Sequence, residues 1–188
     1  MLEKIAVYRR LVKLNDGQSV LLRPLVQEDK EALVALFRTA APEDQRFLKH
    51  DISDEALVRS WADEIDYNRV LPIVAETGGR VVGEATLHFG KRSTRHVGEV
   101  RIFLEPTSRG KGLGTLMLKE IIALARQAGL QYLLAQIVLD QTDVIKAFQN
   151  LGFKMEATMR DYFMAGDDHT HNVVVLLFPL QRESRYEF

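Results

Sequence analysis

The stretch EVRIFLEPTSRGKGLGTLMLKEI, residues 99–121, reads as a strand, a proline turn, alternating glycines and a helix. Glycine costs about 0.5–1 kcal/mol relative to alanine within a regular element, so glycines at a helix start need a reason. A helix start leaves its first N–H groups unpaired and carries partial positive charge. Because Arg109 and Lys111 add charge beside the glycines, the stretch predicts a binding site for a phosphate or pyrophosphate.

The glycine spacing decides which anion-binding motif is present. A dinucleotide fingerprint would need a glycine at position 115, where this chain has Thr115, and GKGLGT does not fit a P-loop. The alternative is a tight connection between strand and helix, with glycines that serve packing alone. Since Gly110, Gly112 and Gly114 all stand between a strand and a helix, with basic neighbours, the anion site is the stronger interpretation.

The composition limits the class of protein. The chain has 188 residues, 46% hydrophobic and 27% charged, which is typical of one globular domain, here residues 1–188. A net charge of −1 gives no basic field for nucleic acid or an anionic membrane surface. The absence of cysteine excludes disulfides and thiolate chemistry and fits a reducing compartment. Apolar runs are too short for a membrane span and no signal peptide is evident, so we expect a cytoplasmic protein with no membrane or nucleic-acid partner.

The rest of the pattern predicts a mixed α+β fold. Turn residues at 15–17 and at Gly78-Gly79 predict two hairpins, and the last two strand-like runs predict a third. The helix from about Gly112 to Gln127 lies between two strand-like runs, which indicates one parallel crossover. Further helices are expected in residues 28–40, 42–47, 53–66, with Ser53 as N-cap, and 141–151. Together these elements predict a mostly antiparallel sheet flanked by helices.

Two motifs resemble those of the GNAT family of acyl-CoA-dependent N-acetyltransferases. The first is the Arg-x-x-Gly-x-Gly spacing from Arg109 to Gly114, with Pro106 three residues before it and a helix directly after. The second is QTDVIKAFQNLGF, which resembles the family's Asn-x-x-Ala-x-x-x-Tyr-x-x-x-Gly-Phe segment aligned on Gly152-Phe153. The resemblance extends over about residues 18–180 and implies the GNAT fold, with acetyl-CoA as co-substrate and no metal.

The resemblance also implies which residues bind the coenzyme. In the family, backbone amides of the glycine loop bind the pyrophosphate, and the strand before it pairs with the pantetheine arm. The loop positions of this chain that match the family are Arg109, Gly110, Lys111, Gly112, Leu113, Gly114 and Thr115. The matching strand positions are Ile102, Phe103 and Leu104. Gln141 stands where many members have an asparagine that touches the arm, and it keeps the amide group.

Phe148 stands where many members have the tyrosine that protonates the departing thiolate. A phenylalanine cannot donate a proton. Either water or another group protonates the thiolate, or the thiolate leaves unprotonated. Because a thiol has a pKa of about 8.5, a thiolate is a tolerable leaving group near neutrality. In lacking the tyrosine, the chain resembles the protein-lysine acetyltransferase branch of the family.

A base is harder to omit, since deprotonating a lysine-like amine at pH 7 costs about 4.6 kcal/mol. Glu99 occupies the position of the catalytic glutamate in the protein-lysine branch, and Glu84, in VVGEATLHF, is the second candidate. The alternative for either is an ordinary strand carboxylate that is ion-paired with a basic neighbour, such as Arg101 or Arg95.

The sequence therefore predicts an N-acetyltransferase that acts on a primary amine: a protein lysine, a terminal amine or a small molecule. Phe148 favours the alternative, a non-catalytic acyl-CoA-binding regulatory module, while Glu99 favours the enzyme. The acid-rich segment 44–66 suits a cationic acceptor or a solvated helix face equally well. The run DDHTH, residues 167–171, has metal-capable side chains, but a hairpin turn explains it better. We expect a monomer or a homodimer.

Overall fold

The strand, glycine loop and helix of residues 99–121 fold at the centre of one eight-stranded sheet. The structure is a computed structural model, and it describes residues 7–45, 47–165 and 168–180. The strands are β1 (Arg10–Lys13), β2 (Ser19–Pro24), β3 (Val70–Thr77), β4 (Arg80–Phe89), β5 (Val97–Leu104), β6 (Tyr132–Val138), β7 (Lys154–Met164) and β8 (Thr170–Pro179). Their order across the sheet is β1-β2-β3-β4-β5-β6-β8-β7.

Neighbouring strands are antiparallel except β5 and β6, which are parallel. A helix connects these two strands, as a parallel pair requires. The three predicted hairpins correspond to β1–β2, β3–β4 and β7–β8. The sequence prediction of a mostly antiparallel mixed sheet with one parallel crossover is confirmed.

Five α-helices flank the sheet in the described part of the chain. They are α1 (Lys30–Phe37), α2 (Pro42–Gln45), α3 (Glu55–Asp63), α4 (Leu113–Gln127) and α5 (Thr142–Asn150). The predicted N-cap of α3 is wrong: Asp54 takes that position, and its carboxylate accepts a hydrogen bond from the N–H of Leu57 at 3.1 Å. The backbone N–H and hydroxyl of Ser53 instead donate to Asp51, so the side chain of Ser53 serves the preceding turn.

The sheet separates two apolar clusters. The apolar stripe of α4, which consists of Leu113, Met117, Ile121 and Leu124, is buried in the larger cluster on one face. Helices α1 and α3 cover the smaller cluster on the other face, where the ring of Phe37 stacks on Phe103 at 5.1 Å between centroids. Burying a large apolar side chain contributes about 1.5–3 kcal/mol, so both clusters anchor their helices to the sheet.

The parallel pair β5–β6 comes apart within the sheet. The two strands pair only at Val97–Tyr132, Gly98–Leu133 and Glu99–Leu134, although they continue to Leu104 and Val138. A gap therefore opens between them beyond Glu99. No helix in the described ranges is long and apolar enough to cross a membrane.

Candidate active site

The gap between β5 and β6 leaves two strand edges unpaired at the centre of the sheet. On β5 the free edge runs over residues 100–104, which includes the predicted positions Ile102, Phe103 and Leu104. An extended ligand that carries amide groups can pair with such an edge as an added strand does. The gap thus supplies a slot for a narrow, amide-bearing chain.

The glycine loop follows directly after the free edge of β5. Gly110 and Gly112 have φ angles of 74° and 88°, in the left-handed region that favours glycine, and α4 begins at the next residue, Leu113. The backbone N–H groups of residues 110–115 donate no hydrogen bond to any residue that the structure describes. They form a cluster of free donors at the positive end of a 15-residue helix.

The third glycine of the loop has a different role. A Cβ on Gly114 would lie 3.3 Å from a methyl group of Leu104, which is tighter than most such contacts. The packing interpretation therefore applies to Gly114. A Cβ added to Gly110 would have no atom within 4 Å. At this position the backbone conformation, and not packing, requires glycine.

The two basic side chains of the loop are held by aspartates. The guanidinium of Arg109 pairs with Asp44 at 2.7 Å and also donates to the carbonyl of Leu104. The ammonium of Lys111 lies 3.4 Å from Asp16 in the β1–β2 turn. Both cations thus tie distant elements to the loop as well as adding positive charge to it, a role that the local sequence did not indicate.

The family segment near residue 141 borders the same region. Gln141 follows the end of β6, and its N–H donates to the carbonyl of Val138 at 2.9 Å. Phe148 is only 2% exposed, and its ring packs edge-on against Phe153 at 5.0 Å between centroids. Phe148 therefore occupies the place of a core side chain.

We expect Phe148→Tyr to lower the thermal unfolding midpoint while turnover stays within a few-fold of wild type. A buried hydroxyl without a partner costs about 1–3 kcal/mol, and the ring itself is retained. Phe148→Leu is the control for packing without a hydroxyl. Steady-state kinetics beside thermal unfolding test this, and a tenfold or larger loss of turnover in a folded Phe148→Tyr would contradict it.

A cavity of about 290 Å³ lies on the α1–α3 face of the sheet, beside the free edge of β5. Its floor is a polar row on β4, Glu84, Thr86 and His88, which stand opposite Phe103, Arg101 and Glu99 of β5. The walls are mainly apolar and come from α1, α3 and residues 48–52, and they include Phe37, Leu48, Ile52, Trp61 and Ile65. This size and lining suit a small organic group.

Glu84 lies in the floor of this cavity. The residue is 7% exposed, and its carboxylate accepts no hydrogen bond from the residues described here. Burial disfavours the charged form and raises the pKa of Glu84 to about 7. A carboxyl group of this kind can both take up and release a proton near neutral pH.

Glu99 has the opposite environment at the closed end of the gap. Burial alone would raise the pKa of Glu99, but hydrogen bonds and positive charge from Arg101 and Lys49 outweigh it and lower the pKa to about 2. The ammonium of Lys49 lies 2.5 Å from the carboxylate, and the guanidinium of Arg101 lies at 3.0 Å. Of the two expected partners, Arg101 is present; the guanidinium of Arg95 donates to the carbonyl of Arg92.

The histidines of the cavity carry no charge near neutrality. Burial and the nearby Arg101 lower the pKa of His88 to about 4, and its Nε2 lies 2.9 Å from the hydroxyl of Thr86. Burial also lowers the pKa of His50, and the positive charges of Arg101 and Lys49 lower it further. His96 lies outside the cavity, where its carbonyl accepts hydrogen bonds at the start of β6.

The acid-rich segment 44–66 contains residues that fit each of the two interpretations, an acceptor site and a solvated helix face. Glu64 and Asp66 line the cavity, whereas Asp63 pairs with Lys30 and Asp54 caps α3. Asp167, the first residue of the DDHTH run, and the preceding Gly166 lie outside the described residues. The ring of His171 lies 2.9 Å from the carboxylate of Asp140. The described part of the chain holds no group of three or more side chains suited to a metal ion.

Comparison with known proteins agrees with this geometry. The model of the acetyltransferase (GNAT) family matches residues 31–153. YwnH of Bacillus subtilis (strain 168), which carries the name of a phosphinothricin acetyltransferase, is 26% identical over 137 residues, 70% of this chain and 82% of YwnH.

Solved structures share the fold. The structure of yncA from Salmonella typhimurium, described as an acetyltransferase with its cofactor acetyl-CoA, superposes with a TM-score of 0.76 at 21% identity, over 88% of this chain and 96% of that one. The ribosomal-protein-alanine N-acetyltransferase from Brucella melitensis gives a TM-score of 0.75 at 22% identity, over 84% of this chain and 98% of its own.

Proposed function

Since this chain belongs to the acetyltransferase (GNAT) family, we propose that it transfers an acetyl group from acetyl-CoA to a primary amine. The parting of β5 and β6 directly before the glycine loop is the observation that supports this most. An amide-bearing arm in this gap would lead directly to the backbone N–H groups at the start of α4, which can bind an anion. Acetyl-CoA carries both groups in one molecule.

The coenzyme would bind along β5 and at the start of α4. Free N–H groups of residues 110–115 would hold the pyrophosphate, with Lys111 and Arg109 adding positive charge. The free edge at Ile102, Phe103 and Leu104 would pair with the arm. A backbone N–H on this edge would also stabilise the oxygen that gains negative charge when the amine attacks.

The acceptor would enter from the cavity, which opens beside the free edge of β5. Attack forms the bond from nitrogen to the acetyl carbon and breaks the carbon–sulfur bond, and coenzyme A leaves as a thiolate. We propose Glu84 as the base, acting directly or through water, because a base works best when its pKa is near the operating pH. Glu99 is ion-paired with two cations that lower its pKa to about 2, so it has little tendency to take a proton from the amine.

The identity of the acceptor needs experiment, because the relatives differ. YwnH is named for phosphinothricin and the Brucella protein for an alanine of a ribosomal protein. A coenzyme A release assay against amino acids, polyamines, aminoglycosides and whole proteins should show release with at least one class, together with a product heavier by one acetyl group. Binding of acetyl-CoA with no release for any amine would favour the second candidate, a non-catalytic acyl-CoA-binding module, which the core position of Phe148 favours.

A further inference from the structure

The ammonium group of Lys49 spans the gap between β5 and β6. Its Nζ donates to the carboxylate of Glu99 at 2.5 Å and to the side-chain carbonyl of Gln136 at 2.7 Å. Glu99 is the last residue of β5 that pairs with β6, and Gln136 stands on β6 two residues beyond its partner Leu134. A primary amine therefore lies over the point at which the two strands part.

The reacting end of the coenzyme would arrive at the same point. If the pyrophosphate sits on the glycine loop, the arm must run along β5 from Leu104 back towards Glu99. Five residues of strand cover about 17 Å, and the gap closes at Glu99, so the thioester would lie towards this closed end. Among the described residues that line the cavity, Lys49 is the only lysine.

We propose that Lys49 is an internal acceptor, acetylated by the chain's own active site. The side chain suits this role because it is 30% exposed, reaches the gap on a flexible stem and donates hydrogen bonds to side chains on both flanking strands. This inference rests on the proposed function, because it uses the same acetyl-CoA site.

The chemistry is the proposed reaction turned on the chain itself. The ammonium first loses a proton to solvent, and the neutral Nζ then attacks the thioester carbonyl carbon. The nitrogen–carbon bond forms, the carbon–sulfur bond breaks, and coenzyme A leaves as a thiolate. The nitrogen gives up a second proton as the amide forms, and the thiolate takes up one, so that one proton is released overall. The product has no charge at position 49, and Glu99 then keeps Arg101 as its remaining cationic partner.

The test is incubation of the full chain with saturating acetyl-CoA labelled with ¹³C in the acetyl group, without any other acceptor. Intact-mass and peptide mass spectrometry should find one acetyl group, on Lys49. The rate should be first order and unchanged when the protein is diluted tenfold, because the reaction is intramolecular. Lys49→Arg keeps the charge and should remove the modification, while Lys30→Arg, which alters the surface ion pair with Asp63, should leave it unchanged.

Calorimetry with acetyl-CoA on the same preparation keeps this result separate from the proposed function. An unmodified Lys49 in a chain that binds acetyl-CoA would overturn the proposal and leave acetyl transfer to other amines standing. Equal labelling of the exposed lysines, or a rate that rises in proportion to protein concentration, would overturn it as well. Failure to bind acetyl-CoA would reject both proposals together.

Discussion

Glu84→Gln should lower turnover by about 10²–10⁴-fold, the usual contribution of a general base. The substitution keeps the shape of the side chain and removes its ability to accept a proton. Acetyl-CoA affinity should stay nearly unchanged, because Glu84 stands on β4 and the coenzyme is expected along β5 and α4. Steady-state kinetics with the acceptor found by the release assay measure the effect.

The pH profile gives this prediction a second readout. Burial raises the pKa of Glu84 to about 7, so the wild-type rate should rise as pH passes through 7 and the base becomes ionised. In Glu84→Gln that rise should weaken, and high pH should partly rescue the variant because more of the acceptor amine is already neutral.

The substitution Glu84→Gln should raise folding stability above pH 7 while it lowers activity. Between the ordinary value of 4.5 and about 7, the folded chain holds a proton on Glu84 that the unfolded chain has released. Folding stability is therefore lost as pH rises through this window, and Glu84→Gln should melt at a higher temperature than wild type at pH 8. A loss of activity with a gain in stability cannot be attributed to unfolding.

Two further variants complete the test of Glu84 as the base. Glu156→Gln, an exposed site on the edge strand β7, is the matched control and should behave as wild type. Glu99→Gln should keep kcat within a few-fold of wild type, because this carboxylate is ion-paired with Lys49 and Arg101 and is not the proposed base. A Glu84→Gln variant within a few-fold of wild type, beside a Glu99→Gln variant with a collapsed kcat, would transfer the role of base to Glu99.

Local chemistry made the centre of the fold predictable. The run from residue 99 to 121 contains a strand, a Pro106 stop, glycines with left-handed backbone and the buried stripe of α4, and each signal lies within a few residues of its effect. The polar side chains at 84, 86 and 88 alternate with apolar residues along β4 and form the floor of the cavity, a local signal that the sequence prediction did not use.

Contacts between distant segments could not be predicted in this way. Lys49 reaches Glu99 across 50 residues, and Arg109 reaches Asp44 across 65. Nothing near either acid in the sequence specifies those partners. The opposite environments of Glu84 and Glu99 follow from which segments fold over them, so the sequence could name both carboxylates without indicating which one is free to take a proton.

Thr115→Asp should weaken acetyl-CoA binding by about 100-fold or more, because two like charges about 4 Å apart repel by about 4 kcal/mol at an effective dielectric constant of about 20. Thr115 is exposed in the first turn of α4, beside the free N–H groups. An acidic residue there favours the helix itself by about 0.3–1 kcal/mol, so the variant should fold at least as well as wild type. Gly112 is a poorer choice, because an added Cβ would lie 3.1 Å from Asn15 and the φ of 88° resists any side chain.

The most direct test of the account is calorimetric titration of acetyl-CoA into wild type, Thr115→Asn and Thr115→Asp. Thr115→Asn has the shape of the aspartate without its charge, so it isolates the electrostatic term. We predict one site per chain in wild type, an affinity within a few-fold in Thr115→Asn, and a loss of about 100-fold or more in Thr115→Asp. Equal affinity in all three proteins, or no binding to wild type, would contradict a coenzyme site at the start of α4.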